Sequence, residues 1–431
     1  MAKSAQSTEE LVYLPLGGAG EIGMNLYLYG LGPPDRRQWL MVDLGVTFPG
    51  EYEPGVDIIM PETRFIEEER SQLAGIVLTH AHEDHFGAVI DLWPDLGAPI
   101  YSTPFTATLL KTKLAEFGGN QSLPIHEVEL GARFQVGSFD LEFVTMAHSI
   151  PEPNALAIRT PAGMVVHTGD WKLDPDPVVG APSDEKRLKE LGDEGVDVLV
   201  CDSTNVFRDG ISPSEAEVGR SLTEIIRAAK YRVAVTTFAS NVARILSVAR
   251  ATKEADRHLV VVGRAMLRII QVARETGKLP KDFRFHEQNE FGYLPREDVV
   301  LLCTGSQGES RAALARVSED QHPHVALAPR DIVVFSSRTI PGNEKAVGRV
   351  QNALAAQGIV LVTDNEALVH VTGHPRRGEL AEIYKWTRPK SVIPMHGEVR
   401  HLEEHARYAL ANGIEQALPA RNGDVIRLLP G

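Results

Sequence analysis

The stretch GIVLTHAHEDHFG, residues 75–87, is the strongest indication of how this chain folds. It opens with a short apolar run, typical of a buried strand, and passes directly into a cluster of metal-binding side chains. At a strand-to-helix turn, His80 and His82 can direct two imidazoles at one metal ion. Asp84 and His85 can then serve a second ion nearby. The alternative, a solvated polar turn, is disfavoured because the cluster follows an apolar strand.

Further polar residues stand at the ends of other apolar runs. His148 follows FVTMA, and Asp170 follows VVHTG. We expect His148 to complete a three-histidine set and Asp170 to bridge two metal ions, since a carboxylate has two oxygens. Taken alone, either residue is equally consistent with a hydrogen-bonded structural role. His167, inside the strand that leads to Asp170, is expected to pack or to support the site.

Composition excludes several classes of protein. The chain has 431 residues, and 58 acidic against 44 basic residues give a formal net charge of -14, which argues against coating nucleic acid through overall basicity. Two cysteines, Cys201 and Cys303, are too few for a disulfide framework or a Cys-rich zinc site. No apolar run reaches the ~18 residues of a membrane span. No secretory signal begins the chain, so we expect a cytoplasmic protein.

The order of predicted elements indicates a layered α/β protein with an inserted domain. Short strands dominate the first 207 residues, with a helical pattern at 85–93. Residues 208–365 alternate strands and helices, which predicts a mainly parallel sheet, and Ser212 or Ser214 is expected to cap the first helix. More histidine-bearing turns follow in 366–431. If these complete the first domain, the chain divides into 1–207, an inserted 208–365, and 366–431.

A glycine pattern near the amino terminus resembles a dinucleotide-binding fingerprint. Gly18, Gly20 and Gly23 fit G-x-G-x-x-G after a strand, and Asp43 lies 20 residues beyond Gly23. That fingerprint requires a helix next, whereas NLYLYG alternates like a strand. We therefore predict a glycine-rich turn into a hairpin rather than a nucleotide site.

The motifs together resemble a known family. H-x-H-x-D-H followed by a distant histidine and aspartate is the signature of the metallo-β-lactamase fold. CDSTN with Asp202, HVTGH with His370 and His374, and PMHGE with His396 resemble the three signature elements of the β-CASP nucleases. LPLGGAGEIGMN, FSSRTIPGNE and TGSQGE are similar to bacterial and archaeal ribonuclease J. The resemblance extends over essentially the whole chain.

The resemblance implies a fold and a metal site. The fold is a metallo-β-lactamase αββα sandwich with an inserted β-CASP α/β domain. Family members usually continue into a linker and a small C-terminal domain, so we expect this chain to be a catalytic core, naturally short or truncated. The site holds two zinc ions per chain, with manganese or magnesium as alternatives. The implied ligands are His80, His82 and His148 for one ion, Asp84, His85 and His396 for the other, and Asp170 as the bridge.

Other roles come from the same resemblance. Asp43 would orient a metal-binding histidine, and Asp202 would likewise support the site. His374 would lie against the scissile phosphate. With the ligand Asp84, these three form the expected catalytic set. A histidine at the third element, here His396, is associated with RNA substrates, whereas the DNA-processing branch tends to have valine.

The inserted domain offers candidates for substrate binding. Ser336 and Ser337 follow the strand DIVVF, and Ser306 follows VVLLCT between glycines, so their hydroxyls and neighbouring backbone N–H groups can hold phosphate. His370 and His374 are also expected to contact substrate. The alternative for the serines is a set of ordinary turns.

Aromatic and basic residues of the same region leave two interpretations open. Phe238 follows VAVTT and is a candidate for stacking on a base, or else a buried aromatic. The pair Arg264 and Arg268 shares a helix face, and Arg376 and Arg377 follow the HVTGH motif. These arginines either form solvated surface or a basic wall along the RNA.

The function that this implies is a metal-dependent 5′-to-3′ exoribonuclease with endoribonuclease activity, producing 5′-mononucleotides in RNA processing and decay. Single-stranded RNA with a 5′ monophosphate is the expected substrate. A homodimer, weakened if a C-terminal domain is missing, and RNA-decay partners are also implied. One alternative is a hydrolase of thioesters, lactams or lactones, which needs neither the insert nor the late histidines. The other is a non-catalytic RNA-binding or scaffold subunit, against which every expected metal position is filled.

Overall fold

The computed structural model describes residues 9–50, 53–118, 122–340 and 342–430. The elements up to residue 202 are β1 Leu11–Gly17, β2 Ala19–Gly20, β3 Leu26–Leu31, β4 Gln38–Val42, α1 Arg64–Glu68, β5 Leu73–Val77, α2 Glu83–Phe86, α3 Val89–Leu96, β6 Ile100–Ser102, α4 Pro104–Glu116, β7 Ile125–Glu127, β8 Arg133–Val136, β9 Phe139–Thr145, β10 Asn154–Thr160, β11 Gly163–His167, α5 Glu185–Glu194 and β12 Val198–Asp202.

The middle of the chain contains α6 Glu215–Ala228, β13 Val233–Thr236, α7 Val242–Glu254, β14 His258–Val262, α8 Arg264–Glu275, β15 Val299–Cys303, α9 Ala313–Ser318, β16 Ile332–Phe335, α10 Glu344–Ala356 and β17 Val360–Val362. The last elements are α11 Arg377–Thr387, β18 Ser391–Met395, β19 Gly397–Glu398, α12 Val399–Ala411, β20 Gln416–Ala417 and β21 Ile426–Leu429. Short 3-10 turns occupy Arg70–Gln72, Gln288–Tyr293 and Arg296–Asp298.

Two seven-stranded sheets pack face to face. Their strand orders are β21-β1-β3-β4-β5-β6-β7 and β20-β18-β12-β11-β10-β9-β8. Alternation along each strand explains the packing, because successive side chains point to opposite faces. On β1, Leu11 and Tyr13 join the core between the sheets, whereas Val12 and Leu14 join the core under the helices. The αββα sandwich expected from the resemblance is therefore confirmed.

A third sheet, with strand order β14-β15-β13-β16-β17, is parallel throughout. Its central strand β13 is buried on both faces, as is typical of a parallel sheet: Val233 and Val235 face one core cluster, and Ala234 faces another. These strands lie in the sequence between β12 and β18, which are paired neighbours in the second sheet. The mainly parallel inserted sheet is confirmed, while the domain boundaries at 207/208 and 365/366 stay a prediction.

Two local features agree with the sequence, and one helix differs from the prediction. The glycine-rich segment after β1 leads into strand β3 rather than a helix, as the alternation predicted. Ser214 caps α6 in a capping box with Glu217. The helical pattern at 85–93 is interrupted, however, because α2 and α3 are separate helices. The Ala88 N–H donates to the Leu44 carbonyl at 3.1 Å instead of continuing the helix.

The segments that carry the polar residues lie at one edge of the paired sheets. Strands β4 and β5 are parallel, and so are β11, β12 and β18. Parallel strands end at the same edge, so the segments that follow them meet there. No helix among the described residues is long and apolar enough to cross a membrane.

Candidate metal centre and active site

The histidines and acidic residues predicted from the sequence converge at the edge where these strands end. Three groups of potential ligand atoms form among the described residues, and within each group the atoms lie within 4.8 Å of one another. The first group consists of His80, His82, His148 and Asp170, and the second of Asp84, His85, Asp170 and His396. The third group, Asp170, Asp202, His374 and His396, overlaps the second. Asp170 belongs to all three groups, so its carboxylate is shared by adjoining sets of potential ligands.

The first group is built from imidazole nitrogens that face one another. Nδ1 of His82 lies 3.1 Å from Nε2 of His80 and 3.0 Å from Nε2 of His148. Nitrogen ligands at ~2.0–2.1 Å from a tetrahedral zinc would be separated by roughly 3.3 Å. Burial, together with neighbouring imidazoles, lowers the pKa of His80 and His148 well below the usual range, and burial lowers that of His82 to about 4. All three are therefore neutral, which is the metal-binding form.

The second group surrounds Asp170. Its Oδ2 lies 3.2 Å from His85 Nε2 and 3.7 Å from His396 Nε2. Nε2 of His396 is 3.0 Å from Oδ2 of Asp84. Asp170 is buried, yet its Oδ1 has no hydrogen-bond partner among the described residues. A buried carboxylate oxygen without a partner is costly, and a cation between the imidazoles would satisfy it. The donor set therefore fits two metal ions.

The outward nitrogens of the histidines are held by the protein. Asp43 Oδ2 lies 2.7 Å from Nδ1 of His85, which orients this imidazole. The Thr79 hydroxyl lies 3.0 Å from Nδ1 of His80 and donates to Asp43. The Asp43 carboxylate is therefore linked to two candidate ligands, directly to His85 and through Thr79 to His80. Asp43 adopts a φ of +64°, a strained backbone geometry that concentrates at functional sites.

Two further contacts connect candidate ligands to segments that are distant in the sequence. Nδ1 of His148 lies 2.6 Å from the Gly373 carbonyl, within the HVTGH motif. Nδ1 of His396 lies 2.7 Å from the Thr204 hydroxyl, within the CDSTN motif. The late motifs therefore hold the early ligands in place as well as adding one of their own.

Asn25 is a site residue that the sequence analysis did not identify. Its side-chain N–H group donates to the Asp84 carbonyl at 3.0 Å and lies 3.0 Å from Nε2 of His85. The Tyr27 hydroxyl donates to the Asn25 carbonyl oxygen at 2.6 Å and so fixes its orientation. The only signal for Asn25 was its place in the motif LPLGGAGEIGMN, to which no role was attached.

His374 stands beside the metal groups and is held by Asp202. Its Nδ1 lies 2.7 Å from Oδ2 of Asp202 and 3.8 Å from Oδ2 of Asp170. Burial opposes protonation, but the carboxylates of Asp202 and Asp170 outweigh it and raise the pKa of His374 to about 9. With 22% of its side chain exposed, His374 is more accessible than the ligands His80, His85 and His396, whose side chains are about 1% exposed. It can therefore present a proton to a molecule that enters the site.

His370, four residues earlier, lies in a different environment. Its Nδ1 is buried without a hydrogen-bond partner among the described residues. Burial, followed by the nearby charges of Arg244, Arg338 and Lys172, lowers the pKa of His370 well below its usual range. An unpartnered imidazole surrounded by cations is a suitable place for an anion.

The predicted serines differ from one another. Ser336 donates its hydroxyl hydrogen to the Val369 carbonyl at 2.6 Å, and the Arg244 guanidinium donates to the same hydroxyl. Its hydroxyl is therefore already used inside the protein. The hydroxyls of Ser306 and Ser337 have no such partner among the residues that the structure describes. Both remain available as donors.

A cavity of about 1110 Å³ lies at the carboxyl ends of the third sheet, against helix α4. It brings together three residues singled out in the sequence: Phe238, Arg264 and Arg268. Gly305 also lines it, but Ser306, Ser336 and Ser337 do not. Arg268 pairs with Glu116 of α4 at the cavity wall. By contrast, Arg377 pairs with Glu404 and is occupied within the protein.

Comparison with known protein families gives three matches along the chain. The model for the β-CASP domain of ribonuclease J matches residues 230–354. A β-lactamase superfamily domain matches residues 52–237. A Zn-dependent metallo-hydrolase RNA specificity domain matches residues 358–419. The three together extend over most of the chain.

Individual relatives and a solved structure agree with these matches. Ribonuclease J of Sinorhizobium meliloti is 53% identical over 98% of this chain and 75% of its own length. The corresponding proteins of Mycolicibacterium smegmatis and Thermus thermophilus are 42% and 40% identical, each over 96% of this chain. A protein of unknown function from Enterococcus faecalis has a TM-score of 0.67 at 15% identity, covering 97% of this chain and 100% of that one. This last likeness concerns the fold alone.

Proposed function

This chain belongs to the ribonuclease J family and is a metal-dependent ribonuclease, and from that premise we propose that it degrades single-stranded RNA from the 5′ end with two metal ions per chain. One observation carries the two-metal part of the proposal: Oδ2 of Asp170 lies 3.2–3.9 Å from imidazole nitrogens of five histidines, His80, His85, His148, His374 and His396. A shared carboxylate among two ligand groups is the arrangement expected of a paired metal site.

The metals are proposed to be zinc, with manganese or magnesium as alternatives. His80, His82 and His148 would hold one ion, Asp84, His85 and His396 the other, and Asp170 both. When bound, the pair supplies a hydroxide nucleophile at neutral pH and offsets the charge of the phosphate. The protein's own contribution is to orient the imidazoles through Asp43, Thr79, Thr204 and the Gly373 carbonyl.

The reaction adds water across a phosphodiester. The bond from phosphorus to the 3′ oxygen breaks, the 3′ oxygen gains a proton, and the shortened RNA begins with a new 5′ phosphate. We assign the proton donation to His374, because Asp202 holds one of its nitrogens and leaves the other for substrate. Asp202 acts through His374 and is a positioning residue.

The neighbouring cations are suited to a phosphate of limited charge. Arg244 and Lys172 lie close to His370, yet they are already paired with Glu215 and Asp174. Arg338, the third cation close to His370, forms no ion pair among the described residues and is available to a 5′ phosphate. We propose that this end group is a monophosphate, as the resemblance implies. We propose that His370, Ser306 and Ser337 contact substrate phosphates and that Phe238, on the cavity wall, stacks on a base.

A comparison of two RNAs tests the direction of cutting and the preference for the end group. RNAs that differ only in a 5′ monophosphate or triphosphate, one set labelled close to the 5′ end and the other at the 3′ end, are incubated with the metal-loaded protein. Mononucleotides should appear from the 5′ end, and faster from the monophosphate. Equal rates, or release from the 3′ end, would contradict the proposal. Internal cutting, dimer formation and contacts with other RNA-decay proteins stay predictions from the resemblance.

A further inference from the structure

A basic and aromatic surface lies at the amino-terminal edge of the third sheet, away from the cavity. Its members are Lys230, Tyr231, Arg232, Tyr293, Arg296 and Arg330, and we call it the Tyr231 surface. Lys230 to Arg232 directly precede β13, and Arg330 lies two residues before β16. The cavity residues Phe238 and Gly305 follow the opposite ends of β13 and β15. Strands of four or five residues at ~3.3 Å each separate the two edges by about 15 Å.

Three cations surround the Tyr231 ring. The guanidinium carbon of Arg296 lies 4.1 Å from the ring centroid, that of Arg330 5.2 Å, and Nζ of Lys230 5.7 Å. Next to them, the Arg232 guanidinium lies 4.7 Å from the Phe291 ring. Like charges collected on one ring repel one another, and the ring faces offset only part of this repulsion.

Most of these cations lack an acidic partner. Within the described ranges, Arg296 pairs with Asp331, whereas Lys230, Arg232 and Arg330 form no ion pair. Asp331 is fully buried, and its charge acts on Arg232 as well as on Arg296, so it offsets part of the positive charge. Nε of Arg232 is buried with no hydrogen-bond partner among these residues. Glu297 and Asp298, next to Arg296 in the chain, and Asp256, two residues before β14, are further acidic residues of this edge. Within the described ranges none of them pairs with Lys230, Arg232 or Arg330.

An exposed aromatic ring completes the surface. Tyr293 is 90% exposed, and it lies in the chain between Phe291, against which Arg232 packs, and Arg296, which covers Tyr231. Burying such a ring under a ligand would be favourable, and nothing in the fold requires it to face solvent.

We propose that the Tyr231 surface binds a second stretch of single-stranded RNA, outside the active site. Unpaired cations match phosphates, and exposed tyrosine offers a face for a base, the combination by which proteins hold single-stranded nucleic acid without regard to sequence. An acidic peptide would use the cations but has no planar group for Tyr293, so RNA is the better match. The inference rests on the proposed function, since the RNA held here is the substrate whose 5′ end enters the active site.

The separation of the two edges predicts a dependence on RNA length. An RNA of about five nucleotides occupies the active site alone, because a single binding module accommodates ~4–16 nucleotides. An RNA of about 30 nucleotides can reach both sites. The surface should therefore lower KM for the long RNA and leave kcat unchanged for both.

The test uses two charge-reversal variants of equal net charge. The first is Lys230→Glu with Arg330→Glu, both exposed members of the surface. The control is Lys186→Glu with Lys385→Glu, exposed lysines on α5 and α11 whose side chains are 89% and 68% exposed. We expect the first variant to raise KM for the long RNA roughly 10-fold. The slope of log binding constant against log salt concentration should become smaller by about 1.4, because two phosphate contacts at ~0.7 each are lost. The control and the short RNA should change less than about twofold.

Equilibrium binding is measured in parallel with both pairs of substitutions placed in a His374→Ala background. Loss of long-RNA binding with the first pair, and none with the control, supports the surface. If the two charge-reversal variants bind the long RNA equally well, the proposal that this surface binds RNA is wrong. A surface that binds an acidic protein instead of RNA would give this result. Tyr293→Ser, which leaves the charge intact, should weaken long-RNA binding by a smaller factor. If the wild-type protein degrades neither RNA, the proposed function fails, whereas the binding comparison still decides the surface.

Discussion

The candidate metal centre and the proposed substrate-binding region around His370 are organised in different ways. In the metal centre, four histidine ligands have their outward nitrogens held by Asp43, Thr79, Thr204 or the Gly373 carbonyl. On the substrate side, His370 has a buried nitrogen with no partner among the described residues and cations close by. The first region presents oriented imidazoles and carboxylates suited to metal ions, and the second presents an unpartnered imidazole nitrogen beside cations. Substitutions should therefore affect chemistry in the first region and substrate affinity in the second.

The largest effect is expected from a metal ligand. His85→Ala removes an imidazole that faces Asp170 and Asp84, and it leaves Asp43 buried without this partner. RNA hydrolysis should fall by more than about a thousandfold, equivalent to about 4 kcal/mol, because the nucleophile is no longer generated. The measurement is turnover of 5′-monophosphorylated RNA. His324→Ala, an exposed histidine outside the site, is the control and should retain full activity.

A smaller loss, with a different signature, is expected at His374. His374→Ala should lower kcat about a hundredfold, since general acids typically contribute at least that much. Both metal ions should remain, because Asp170 keeps its four other imidazole neighbours. Metal content and kcat are measured on the same preparation. Metal loss equal to that of His85→Ala would show that the two residues do not have separate roles.

The smallest effect of the three belongs to the substrate side. His370→Gln keeps a polar side chain of similar length but no longer supplies an imidazole among the cations. KM for 5′-monophosphorylated RNA should rise about 10-fold, or about 1.4 kcal/mol, with kcat nearly unchanged. Steady-state kinetics separate the two parameters. A fall in kcat with constant KM would place His370 with the chemistry and remove the distinction between the two regions.

The same contrast describes what could be predicted from the sequence. His80 to His85 were identifiable because they are adjacent in the chain and follow an apolar run. Asn25 and Thr204 contact the ligands only after segments far apart in sequence converge. No local pattern distinguishes Ser336, whose hydroxyl is used internally, from Ser337. The break between α2 and α3 likewise depends on a carbonyl from Leu44, some 40 residues earlier.

The most direct test of the account is the number of metal ions that the protein binds. Zinc-reconstituted protein is dialysed against metal-free buffer and its content measured by elemental analysis, for the wild type and for Asp170→Asn. Among the described residues, Asp170 is the one residue that all three groups of potential ligands share. The wild-type protein should hold two zinc ions per chain, and Asp170→Asn should hold fewer. A wild-type protein that holds one ion or none after reconstitution would contradict the account.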